Sequence, residues 1–78
     1  MSPRNTIPLS TADAGQQVRL INISGGRHIT HRLTEMGLTP GTEFGIVQNA
    51  GGPLLLSVRN SRLAVGKGMA KKLLVELL

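Results

Sequence analysis

Hydrophobic residues along this chain change their spacing several times, and each change marks an element. In Gln17 to Ile23, Val18 and Leu20 share one face and Ile21 and Ile23 the other. This phase change predicts a strand that carries a bulge or is covered on both sides. Ser24-Gly25-Gly26 ends it. Ile29, Leu33 and Met36 then recur at helical spacing, which predicts an amphipathic helix over about 28–36. Gly37 supplies a left-handed residue after the last turn, so Leu38 can fold back onto Leu33. Thr39-Pro40-Gly41-Thr42 follows as a turn, with Pro40 presetting φ and Gly41 accepting the positive φ of a type II turn.

After that turn the period falls to two. Phe44 and Ile46 alternate with Glu43, Gly45 and Val47, as a strand requires. Ala50 to Pro53 reads as a hairpin loop, Leu54 to Arg59 as the returning strand, and Asn60-Ser61 as a tight turn into Arg62 to Val65. Gly66 to Lys72 reads as a brief turn or single helical turn. Leu73 to Leu77 is the closing strand, with Glu76 expected in solvent. Ahead of these elements, residues 1–8 hold Pro3 and Pro8 and read as an arm, leaving residues 9–78 as the domain.

About five short strands with one inserted helix define a mainly β protein. A small open sheet would expose pairing edges, whereas a compact barrel satisfies them within the chain. The expected fold is therefore a small, partly open β-barrel with the helix across one end.

Length and composition narrow what such a fold can do. Seventy-eight residues make one domain. A domain this small rarely holds more than about 3–5 kcal/mol of net core stabilisation, which leaves little to offset a deep polar cavity. The sequence has no Cys, which excludes disulfides, thiolate zinc sites and cysteine nucleophiles and fits a reducing cytoplasm. No stretch resembles a signal h-region, and the longest Leu/Val/Ile runs fall far short of the ~20 residues that span a bilayer. The four acids are scattered, and neither a Walker loop nor G-x-G-x-x-G occurs; Gly66-Lys67-Gly68 lacks the spacing and the hydroxyl of a phosphate loop. No enzyme activity, cofactor or catalytic residue is expected.

Charge supplies the first candidate surface. Nine Lys and Arg against four Asp and Glu give a net charge of +5. Between Gln48 and Val75 lie Arg59, Arg62, Lys67, Lys71 and Lys72 with no acid among them. These five are candidates for an acidic partner, weighed against a merely solvated face. Consecutive Leu residues in a strand cannot all point inward, so exposed members of the Leu54-Leu55-Leu56 and Leu73-Leu74 runs, Leu55 above all, are candidate apolar contacts, for a partner or for self-association. A nucleic-acid-binding barrel is the alternative. It suits the charge, but stacking platforms need aromatics, and the sole aromatic, Phe44, falls on the core face.

His28 and His31 are three apart on the predicted helix and are candidate metal ligands. Two imidazoles are an incomplete site, with Glu35 the nearest carboxylate, so the favoured reading is two solvent-facing residues and no bound metal.

The block RLTEMGLTPGTEF, Arg32 to Phe44, followed after a Gly-Pro hairpin by RLAVGKGMAKKLLV, Arg62 to Val75, resembles the FeoA domain, and the likeness runs from Leu9 onward. The resemblance implies an SH3-like barrel. It also implies a cytoplasmic accessory protein of bacterial ferrous iron uptake, acting on the FeoB permease and its cytosolic GTPase region. The same domain type ends DtxR-like metal-dependent repressors; with no room in these 78 residues for their DNA-binding and dimerisation parts, the free-standing version is the expected one.

Overall fold

A computed structural model describes residues 5–78. It contains six strands and two helices: β1 (Thr6–Pro8), β2 (Gln17–Ile23), α1 (Arg27–Glu35), β3 (Glu43–Gln48), β4 (Leu54–Val58), β5 (Ser61–Val65), α2 (Lys67–Ala70) and β6 (Leu73–Leu77), with a 3₁₀ turn at Leu9–Thr11. The strands form one antiparallel sheet in the order β1-β6-β2-β3-β4-β5. The sheet curls around its core but does not close, as expected of a partly open barrel.

One strand more is present than the periodicity predicts. Thr6–Pro8, which read as part of the arm, pairs with Leu74–Glu76 of β6. Three residues ending in Pro carry too little alternation to announce a strand. Of the rest of the arm, residues 1–4 lie outside the described residues, and the Asn5 carbonyl accepts from the Leu77 amide at 2.9 Å.

The pairing of β1 also corrects the placement of Glu76. Because β6 lies between β1 and β2, Glu76 is flanked on both sides, by Thr6 and Arg19. It is only 6% exposed rather than solvated.

The expected phase change in β2 is a bulge: the register against β6 shifts between Leu20 and Asn22. Ile21 is turned outward and Ile23 returned to pack against the core. A second shift, between Ile46 and Gln48 in β3, turns Val47 out. Fifteen buried apolar residues form a single core, almost wholly aliphatic, and Phe44 sits in it at 3% exposure. From α1, Leu33 is fully buried and Ile29 and Met36 pack against the same core.

The helix stop is a Schellman motif. Gly37 adopts φ +88, its amide donates to the Thr34 carbonyl at 3.0 Å, and the Leu38 amide donates to the Leu33 carbonyl at 2.8 Å. The turn after it closes with the Thr42 amide donating to the Thr39 carbonyl at 3.0 Å, with Gly41 at φ +98. Gly41 also donates to the Leu20 carbonyl at 2.7 Å, which fastens the helix exit to β2.

Candidate partner-binding surface

β5 ends the sheet on one side. A two-residue turn, Arg59-Asn60, joins it to β4, with Arg59 at φ +56, the left-handed region that hairpin turns demand. Register then decides which side chains face outward. Leu54, Leu56 and Val58 of β4 are buried, so their neighbours Leu55 and Ser57 point to the outer face. Across the ladder, Leu55 pairs with Ala64 and Ser57 with Arg62, which puts Ala64 and Arg62 on that face as well. On the other side Leu55 pairs with Gln48, beside the outward-turned Val47. Val47, Leu55 and Ala64 thus form an apolar row across three adjacent strands. Leu55 was legible from the run of three leucines; Ala64 and Val47 required the register and the bulge.

The five candidate cations do not form one cluster. Arg59 and Arg62 lie at the hairpin end of β5, both exposed. Lys67, half-buried at the start of α2, and the exposed Lys71 and Lys72 lie beyond the opposite end. Five residues at ~3.3 Å each separate the two groups by about 15 Å. Lys72 is held in place through its backbone. Its carbonyl accepts from the Ser24 amide at 2.8 Å and the Ser24 hydroxyl at 3.1 Å. Among the described residues none of the five cations is in an ion pair.

Three of the four acids are engaged elsewhere. Arg19, in the middle of β2, donates to Glu43 Oε2 at 2.7 Å on one side and Glu76 Oε1 at 3.0 Å on the other. These three residues sit directly opposite one another on β3, β2 and β6. The hydrogen bond to Glu43 is the main cause that raises the Arg19 pKa above its ordinary range. Glu35 faces His31, with Oε1 and Nε2 3.6 Å apart.

His28 and His31 are both exposed on α1. No group of three or more metal-ligating side chains exists among the described residues. An open groove of about 420 Å³ runs along the helix, lined by Gly26, Arg27, Thr30, His31 and Thr34. The two threonine hydroxyls there donate to the carbonyls of Gly26 and Thr30 one turn earlier. Among the described residues, no helix is long and apolar enough to cross a membrane.

Six antiparallel strands around an aliphatic core, with the well-stopped helix α1 and the single-turn α2, define a small SH3-like fold. The comparisons with known proteins agree. The FeoA domain model matches residues 7–77, and the chain belongs to the FeoA family. The curated "Putative Fe(2+) transport protein A" of Methanocaldococcus jannaschii is 35% identical over 69 residues, covering 88% of this chain and 84% of that protein. The crystal structure of an iron uptake regulatory protein, FeoA, superposes with a TM-score of 0.89 at 36% identity, covering 94% of this chain and 99% of the other. The FeoA of Stenotrophomonas maltophilia, crystallised with zinc and described as an SH3 domain protein, gives 0.76 at 26% identity, covering 90% and 89%. The protein is thus a ferrous iron transport accessory protein, of a transport accessory family not known for enzyme activity.

Proposed function

We propose that this chain acts in the cytoplasm by binding the cytosolic, GTPase-bearing region of a FeoB-type ferrous iron permease. The contact surface comprises Arg59, Arg62, Lys67, Lys71, Lys72 and Leu55. The observation that carries this reading is that all five cations lack an ion-pair partner among the described residues, while the apolar row containing Leu55 lies between their two groups on the outer face. Cations without internal partners, next to exposed apolar surface, suit an acidic protein patch. Nucleic acid is disfavoured because Phe44 is buried and offers no stacking surface.

The mechanism is binding. By contacting one conformation of the GTPase-coupled permease better than another, the module shifts its population, while the nucleotide chemistry stays in the partner. The test is retention of the permease's soluble domain by the wild-type chain and by a variant with all five cations changed to Glu. Loss of retention in a folded variant supports the surface. Unchanged retention rejects the surface and leaves the partner standing, and no retention by wild type rejects the partner.

A further inference from the structure

The two edges of the sheet differ. β1 is three residues long and ends in Pro8, which has no amide hydrogen to offer a further strand. β5 is five residues long and contains no Pro. In a two-residue hairpin the closing pair, here Val58 and Ser61, is hydrogen-bonded, and the bonded pairs then alternate: Leu56 with Leu63, Leu54 with Val65. The intervening residues of β5, Arg62 and Ala64, therefore turn their N–H and C=O groups away from β4. Among the described residues neither has a backbone partner on that outer side. β5 thus presents two donors and two acceptors at strand spacing, with no further strand paired to that side among the described residues.

We propose that β5 receives an extended acidic polypeptide segment as a seventh strand of the sheet. The proposal deepens the reading above, on which it rests, by naming the mode of contact: main-chain pairing on Arg62 and Ala64, with side chains of the added strand reaching the surface beside Leu55. Charge selects the occupant. The edge is bracketed by Arg59 and Arg62 at one end and Lys67 at the other, with no acid in β4, β5 or α2. A second copy added edge to edge would double this positive charge along one seam. Cations on an edge strand commonly oppose such self-pairing, and they favour a strand that carries Asp or Glu.

The decisive variant is Ala64→Pro. It deletes only an outward N–H and leaves the β4 ladder intact, a position at which an edge strand tolerates Pro. The probe is a synthetic eight-residue peptide alternating Glu with Val and Thr, capped at both ends, beside a counterpart with Lys for Glu. Amide hydrogen exchange is read by NMR. The acidic peptide is expected to slow exchange at Arg62 and Ala64 by about tenfold or more, with added salt weakening the effect and Ala64→Pro abolishing it at Arg62, the one of the two amides that this variant retains. Unchanged exchange at Arg62 and Ala64, or an equal effect of the Lys peptide, overturns the proposal. Should Ala64→Pro fail to fold, Arg62→Glu takes its place, and undiminished protection of Ala64 in that variant overturns the proposal.

The permease's soluble domain separates the two levels of the argument. Retention by wild type but not by the folded variant supports both. Retention by both chains overturns the edge as the contact and leaves the partner standing. Retention by neither overturns the partner, and the peptide result alone then decides the edge.

Discussion

The amide of Leu38 donates to the carbonyl of Leu33 at 2.8 Å across Gly37, and both leucine side chains are fully buried in one core. This contact turns the chain out of α1 and into the turn that fastens to β2. It depends on Gly37 holding φ +88, and a Cβ built there meets nothing within 4 Å. The cost of a side chain is therefore backbone strain alone. Gly37→Ala is expected to destabilise by about 1–2 kcal/mol, and Gly37→Asn by less, because Asn visits the left-handed region more readily. Urea unfolding of the two variants checks the order.

Gly25 faces a harsher constraint. Its φ is +111, and a Cβ there falls 2.7 Å from Ile29 Cδ1 and 2.9 Å from Lys72 Cδ. Strain and crowding add, so Gly25→Ala is expected to cost more than Gly37→Ala. Trimming Lys72 to Ala should return part of the excess, because it removes one of the two clashing groups. A double-mutant cycle with an interaction of zero between Gly25→Ala and Lys72→Ala contradicts this account.

Asn49 ties the 3₁₀ turn to the end of β3. Its Nδ2 donates to the carbonyls of Ala12 at 2.6 Å and Ser10 at 3.2 Å. Its buried Oδ1 has no partner among the described residues. Asn49→Ala loses two donors and leaves two carbonyls to find water, a cost of about 1–3 kcal/mol. Asn49→Asp is nearly the same shape but sets a carboxylate against those carbonyls, so it should be the more destabilising of the two at neutral pH. Equal melting temperatures for the two variants contradict the assignment of Nδ2 as the tether.

Local signals in the sequence were sufficient for α1, its stop at Gly37 and Leu38, the Pro40-Gly41 turn and the burial of Phe44, and they narrowed the phase change near Ile21 to two readings, of which the pairing with β6 selects the bulge. Each signal depends on residues within one turn or one strand of each other. What escaped depends on neighbours distant in the chain. β1 is too short to show a period and forms because β6 is there to pair with it. Glu76 reads as a solvated strand residue until β1 and β2 are placed on either side of it. The basic stretch from Arg59 to Lys72 is continuous in sequence, yet β5 divides it into two groups. Ala64 and Val47 carry no chemical signal, and only register places them beside Leu55.

Arg19 draws together charges 24 and 57 residues away, and it does so unequally. Glu43 is 56% exposed at its side chain, whereas Glu76 is 8% exposed. Removing a partner from an exposed carboxylate lets water replace it; removing one from a covered carboxylate does so less readily. Glu43→Gln should therefore be nearly neutral, and Arg19→Met clearly destabilising. The pH dependence of the arginine's share follows from its raised pKa. A cation whose pKa is higher in the folded state contributes fully below the unfolded pKa and loses that contribution only as pH rises through the folded value. For Arg19 both lie above the ordinary working range. The difference in unfolding free energy between wild type and Arg19→Met should thus stay constant from about pH 7 to about pH 10. Denaturant titrations at both ends of that interval test it, and a difference that shrinks toward alkaline pH would show that another titrating group governs the stability of β2 between β3 and β6.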